Sequence, residues 1–271
     1  MKKKNSLQVV GIILLSLLSI SIINAQGTAG SDAKFEYRYL VDMPIAGILK
    51  RGDASVEFIS MPYGTAILKV ESGVFNNFSI GVSYGAVNAI GVGNPEWYPL
   101  PGVVVRARLL TETKSLPGIL LGFDSQGKGK YIKNFQTSDT TVRINRYLIK
   151  SPGFFLAISK NFAFLGYFSI HSCVNYTLER SDKDKDANFS FGIEKTIGGF
   201  LSFVGEYDFA FNDNSKVSLG KKSGYLNLGL RWSIAEGLTF GLDFRDILDN
   251  DKISQGRAER SIRIDFIQPI F

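Results

Sequence analysis

Along most of the chain, apolar and polar residues alternate one by one. Phe78, Ile80, Val82 and Tyr84 alternate with Ser79, Gly81, Ser83 and Gly85. Phe189, Phe191 and Ile193 alternate with Asn188, Ser190, Gly192 and Glu194, and Leu226, Leu228, Leu230, Trp232 and Ile234 with Asn227, Gly229, Arg231 and Ser233. A period of two marks strands with unlike faces. It predicts twelve of them, near 54–61, 65–73, 77–88, 101–113, 118–127, 146–160, 167–180, 187–197, 200–212, 222–234, 238–247 and 257–271. From the third onward, short turns alternate with longer polar loops at 89–100, 128–145, 181–186, 213–221 and 248–256. One face of each strand carries large Leu, Ile, Phe and Tyr; the other carries Gly, Ser, Asn and charges of both signs.

A soluble sandwich would alternate too, hiding its apolar face against a second sheet. A membrane barrel turns that face to lipid and closes on itself, because lipid cannot satisfy an open edge. The start of the chain favours the barrel. Met1-Lys2-Lys3-Lys4 is cationic, Val9 to Ile23 is an apolar run, and Asn24-Ala25-Gln26 offers a small residue at a cut. This is the layout of a secretory signal peptide cleaved after Ala25. No later stretch has 18 apolar residues in a row, so no spanning helix is expected. The expected fold is an all-β, antiparallel, up-and-down transmembrane β-barrel of about twelve strands with both termini in the periplasm. Residues 1–25 form the signal, 26–53 a periplasmic lead segment, and 54–271 the barrel. Residues 38–50 are apolar yet precede the barrel, and are expected to tuck into the lumen or its periplasmic mouth. Phe271 resembles the terminal aromatic read by the barrel-assembly machinery, and Pro269 predicts that strand pairing stops near Ile267.

The leader changes the charge balance. The chain of 271 residues is formally +6, from 31 Lys+Arg against 25 Asp+Glu. Removing 25 residues leaves 246, and losing Lys2, Lys3 and Lys4 lowers +6 to +3. That leaves no basic footprint for nucleic acid. One cysteine and one histidine exclude a disulfide framework and a His/Cys zinc site. No cofactor or metal is expected.

The candidate site is the inner face. The alternation places Arg106, Arg108, Asp124, His171, Glu194, Glu206, Asp208, Arg231, Asp243, Arg245, Arg263 and Asp265 towards the lumen. Mixed signs on neighbouring strands suggest cross-strand ion pairs, either filling the barrel or lining a narrow polar conduit. His171 reads as a catalytic base or as a satisfied lumen residue; no G-x-S-x-G nucleophile motif accompanies it. Cys173 reads as a small inert residue. Asp182, Asp184 and Asp186 have calcium-loop spacing, but Ala187 and Ile193 stand where Gly and Glu are needed, so a solvated loop tip is expected. Gly91-Val92-Gly93 lacks the third glycine and the helix of a dinucleotide site. Trp97, Tyr98, Tyr225 and Trp232 suit an interfacial aromatic belt.

Two segments carry a resemblance. Leu40-Val41-Asp42-Met43-Pro44-Ile45-Ala46-Gly47, with Gly52, precedes the first strand. The second runs from Leu116-Pro117 through Gly122-Phe123-Asp124, Gly127 and Gly129 to Arg146-Tyr147-Leu148-Ile149, Ser151 and Ser159-Lys160-Asn161-Phe162. Together they resemble the YjbH-type outer-membrane β-barrel proteins associated with exopolysaccharide production, though this chain is shorter and has no lipoprotein cysteine. The resemblance implies a part in polysaccharide secretion and no catalytic residues. The expected function is thus non-enzymatic passage or assembly of exopolysaccharide or small polar solutes across the outer membrane of a Gram-negative-type bacterium. The expected partners are outer-membrane lipid, the assembly machinery and a polysaccharide. A structural or adhesive barrel, and a hydrolase using His171, are the alternatives.

Overall fold

The computed structural model describes residues 35–136, 141–198, 200–253 and 258–270. The expected leader and its expected cleavage site after Ala25, and Phe271, lie outside the described residues. The strands are β1 (Asp53–Met61), β2 (Thr65–Phe75), β3 (Phe78–Val87), β4 (Glu96–Trp97), β5 (Gly102–Leu110), β6 (Gly118–Asp124), β7 (Lys128–Gln136) and β8 (Thr141–Ile149). They continue with β9 (Gly153–Ala163), β10 (Tyr167–Tyr176), β11 (Asn188–Ile197), β12 (Leu201–Asp208), β13 (Tyr225–Ala235), β14 (Leu238–Arg245) and β15 (Glu259–Pro269).

Among the described residues, twelve strands close into one antiparallel barrel. Pairing runs β1-β15-β14-β13-β12-β11-β10-β9-β6-β5-β3-β2 and returns to β1 through the β1–β2 hairpin. Closure leaves no unpaired edge, as a span across lipid requires. A ten-residue strand rises about 33 Å, which a tilt of roughly 45° reduces to about 23 Å, the height of a barrel's apolar band. The two faces divide as the alternation predicts. On β11, Asn188, Ser190, Gly192, Glu194 and Thr196 are buried while Phe191 and Ile193 are exposed. On β9, Phe154, Leu156 and Ile158 are exposed. The apolar rows have no protein covering them, so they form the lipid-facing band.

Four details differ from the sequence-based expectation. The 128–145 loop is not irregular: β7 and β8 form a hairpin above the barrel, with Tyr131 opposite Tyr147 and Gln136 opposite Thr141. Residues 146–149 belong to this hairpin rather than to a wall strand. Pairing continues past Ile267, with Gln268 opposite Ala54 and Pro269 opposite Asp53; a proline at the end of a strand has little of the ladder left to break. Asp182 and Asp184 are buried while Lys183 and Lys185 are exposed, so this loop turns its carboxylates inward. Tyr98 and Tyr225 are not belt residues: Tyr98 is buried beside Tyr147 and the Tyr225 hydroxyl donates to Asp213 at 2.8 Å. Trp97 is exposed and stacks on Tyr84.

The strand directions put the 76–77, 111–117, 164–166, 198–200 and 236–237 connections at one end. The longer 88–101, 125–152, 177–187, 209–224 and 246–258 connections lie at the other, together with the tight 62–64 turn between β1 and β2. Residues 35–52 enter β1 from the short-turn end.

Candidate functional site

Residues 35–49 occupy the lumen. Every one of them except Asp42 is buried. The segment turns back on itself: Leu40 N–H donates to Met43 O at 3.1 Å and Ile45 N–H to Arg38 O at 3.1 Å. Tyr39 and Pro44 form an antiparallel bridge. Pro44 favours such a turn because it fixes φ and needs no partner for a missing N–H. Tyr37, Leu40, Val41, Met43, Ile45, Ala46 and Ile48 pack against Leu120, Phe155, Ala157, Cys173 and Val204 of the wall. The barrel's core is therefore a plug–wall core. Two glycines make room for it. A Cβ on Gly47 would lie 1.7 Å from Tyr37 O, and one on Gly192 would lie 2.3 Å from Leu40 Cδ1.

The polar contacts fix the plug in register. Glu206 of β12 accepts three consecutive amides of the turn, Val41 at 2.9 Å, Asp42 at 2.8 Å and Met43 at 3.0 Å. Successive N–H groups converging on one carboxylate form an anion-holding nest. Asn227 donates to the same carboxylate at 2.8 Å. In the opposite sense, Asp42 of the plug is gripped by Arg245, Nε to Oδ2 at 2.8 Å and Nη2 to Oδ1 at 3.1 Å, and by Lys128 at 2.6 Å. Arg38 reaches both oxygens of Asp265 at 3.0 Å and Glu71 at 3.3 Å. Glu36 pairs with Arg108. Tyr39 donates to Asp124, which Lys69 also meets at 2.9 Å. Arg231 donates to Leu40 O, and Arg263 to Val41 O.

All twelve inner-face residues read from the alternation sit on inward rows. Arg231, Arg245 and Arg263 surround Asp243, at 2.5, 3.5 and 3.6 Å. Arg263 also pairs with Glu57 at 2.7 Å. Asp208 accepts Asn188 Nδ2 and Ala210 N–H, each at 2.7 Å. Glu194 is buried on β11. Arg106 is fully buried, 3.4 Å from Glu71, and its guanidinium lies 4.5 Å from the Tyr39 ring centre with no hydrogen-bond partner of its own. His171 Nδ1 meets Ser159 Oγ at 2.8 Å, and Ser159 Oγ accepts Ala46 N–H at 3.0 Å. That pair lies fully buried behind the plug and helps hold it.

The periodicity did not single out Glu57, Lys69 and Glu71, although each stands on an inward row opposite apolar neighbours and the same alternation finds them. Glu36, Arg38, Tyr39 and Asp42 carry no periodic signal. Their partners lie far along the chain, up to 227 residues for Arg38 and Asp265.

The loop end has its own buried centre. Arg146 pairs with Asp182 at 3.0 Å and with Asp213, and Lys150 meets Asp182 at 2.7 Å. Asp184 accepts Asn214 and Ser215 amides at 2.7 and 2.9 Å. Burial opposes charge on Asp213, but Arg146 outweighs it and holds that carboxyl below the usual range. Burial, with Glu259, Asp246 and Asp213 facing it, pushes Asp251 up to about 6. Between these loops and the plug tip lies a cavity of about 80 Å³, with Arg146, Lys150, Asn175, Asp208, Tyr225 and Arg245 in its wall. A smaller one of about 50 Å³ shares Asp42, Ile149, Lys150, Asn175 and Asp208 with it.

No family model and no curated protein matches the chain. Among solved structures it is similar to the KdgM porin, at 12% identity and a TM-score of 0.46, over 79% of this chain and 97% of that one. It is similar to the NanC porin at 12% identity and 0.41, over 80% and 98%. For the outer membrane protein Omp33 of Acinetobacter baumannii the values are 10% and 0.42, over 80% and 95%. By its own architecture, the chain is of the class of transmembrane β-barrels; among the described residues twelve strands close around a lumen filled by residues 35–49.

Proposed function

We propose that the chain is a non-enzymatic outer-membrane barrel that passes a small polar solute of the saccharide class, and that residues 36–49 are its gate. The observation that carries this reading is the plug. It is held by hydrogen bonds and ion pairs to a charged wall and by one apolar patch around Leu120, Phe155 and Val204, not woven into the barrel's strand ladder. Removing it would leave a closed barrel with a mostly hydrophilic inner face, which is the anatomy of a conduit. The resemblance to YjbH-type proteins supports a saccharide, including exopolysaccharide, as cargo.

The test is conductance in planar bilayers. The intact chain is expected to be nearly silent, and a variant lacking residues 36–48 to give steady, salt-dependent channels. Equal, low conductance from both would sink the conduit. A second reading, a structural or adhesive barrel, is favoured by the buried loop centre around Arg146, which closes the loop end over the plug; silence of the deletion variant is its expected result.

A further inference from the structure

The grip on Asp42 has the form of a receptor. One guanidinium meets both carboxylate oxygens through Nε and Nη2, and an ammonium shares Oδ1 with it. Planar, bidentate geometry is what distinguishes recognition of a carboxylate by arginine from simple charge attraction. Arg245 and Lys128 belong to the wall and to the loop hairpin; Asp42 belongs to the plug. Asp42 and Arg245 both border the 80 Å³ cavity, and Asp42 and Lys128 both border the 50 Å³ one. At about 10–15 Å³ per water, the two chambers hold roughly ten waters, the scale of one sugar ring.

We infer that Arg245 and Lys128 form a binding site for the carboxylate of an acidic sugar, and that Asp42 occupies this site as an internal stand-in while the lumen is shut. This deepens the conduit reading and rests on it. A singly charged carboxylate fits better than a doubly charged phosphate monoester. The fork donates to two oxygens of either group, but Asp208, Asp213, Asp246, Asp251 and Glu259 around the same cavity repel the more highly charged one. The second latch, Glu206 on the backbone amides of residues 41–43, has its carboxylate on the wall, so at the Arg245–Lys128 site the ligand competes with Asp42. Binding therefore loosens the plug at its tip and leaves its lower contacts, Glu36 with Arg108 and Arg38 with Asp265, to be broken afterwards.

The experiment is calorimetric titration of the detergent-solubilised full chain with sodium glucuronate, with glucose as the neutral control. Asp42→Asn is expected to bind glucuronate at least tenfold more tightly than the unaltered chain, because the competing carboxylate is gone. Arg245→Gln is expected to abolish binding and Lys128→Met to weaken it several-fold, with glucose binding none of the variants measurably. The heat-modifiable gel mobility of each variant reports whether its barrel is folded, and Asp42→Asn is conservative enough to keep the comparison valid. Asp42→Asn binding no more tightly than the unaltered chain, glucose binding as well as glucuronate, or a folded Arg245→Gln that still binds would each overturn the inference. Conductance of the variant lacking residues 36–48 is measured separately. If it conducts while glucuronate fails to bind, the carboxylate site falls and the conduit stands; if it stays silent, the conduit itself falls.

Discussion

Glu206 in the barrel wall and Met43 in the plug, 163 residues apart, are joined by a 3.0 Å hydrogen bond from backbone amide to carboxylate. The same carboxylate takes the amides of Val41 and Asp42, so one wall residue satisfies three donors of a buried turn. Such donors have no water to turn to, and leaving them unpaired costs about 1–3 kcal/mol each.

Glu206→Gln keeps the shape but replaces one acceptor oxygen with a donor amide. It is expected to weaken plug retention by about 2 kcal/mol, roughly thirtyfold in the open-to-shut ratio. Single-channel recording should then show frequent opening from an otherwise normally folded barrel. Recordings as quiet as those of the unaltered chain would show that Glu206 does not hold the gate.

Gly192 is the floor beneath Leu40. A methyl there would lie 2.3 Å from Leu40 Cδ1 and 3.0 Å from Met43 Cε, both ends of flexible side chains. Gly192→Ala should therefore disturb the plug more than the wall, at about 1–3 kcal/mol for overpacking. Its mark is raised conductance with little change in barrel melting. Adding Leu40→Ala should restore quiet channels, because it returns the volume the methyl took. Failure of that rescue would place the strain in the β11 backbone instead.

The wall was legible in the sequence and the plug's grip was not, for one physical reason. A strand between lipid and a polar lumen has a period of two, so Arg231, Asp243 and Arg263 can be assigned to the inner face one strand at a time. The plug is not periodic. Its position depends on pairs such as Asp42 with Arg245 and Arg38 with Asp265, which chain separation hides. Asp182 and Asp184 show the same limit in the loops. Ala187 and Ile193 in place of a calcium loop's Gly and Glu suggested a solvated tip, yet Arg146 and the amides of residues 214–215 draw the carboxylates inward.

Arg146 is the centre of the loop cap. It is buried between Asp182 and Asp213, and its Nε and Nη2 also donate to Tyr147 O and Leu148 O at 2.9 Å. Arg146→Ala leaves buried Asp213 without its cation and Asp182 with Lys150 alone, a loss of about 3–5 kcal/mol for such a broken pair. The expected result is protease cleavage within 177–187 and 209–224 while the barrel strands stay intact. Resistance equal to that of the unaltered chain would mean that Lys150 and the loop backbone suffice.

Asp251 makes the cap sensitive to acid in an unusual direction. Burial, against the 2.9 Å amide of Ile253 and alongside Glu259, Asp246 and Asp213, raises its carboxyl from 3.8 to about 6. Its charged form is thus disfavoured in the folded loop. The penalty is complete above about pH 6 and fades as the pH falls towards 3.8, so the loop tightens on mild acidification. Asp213 acts oppositely but outside this window: its carboxyl is held below 3.8, so the stabilisation from its Arg146 pair is lost only at lower pH. Hydrogen exchange over residues 246–253, corrected for the intrinsic pH dependence, should slow between pH 7 and pH 4.5. Asp251→Asn should flatten that slope and hold the loop in its tighter state at both values. A slope that survives the substitution would assign the effect to another group.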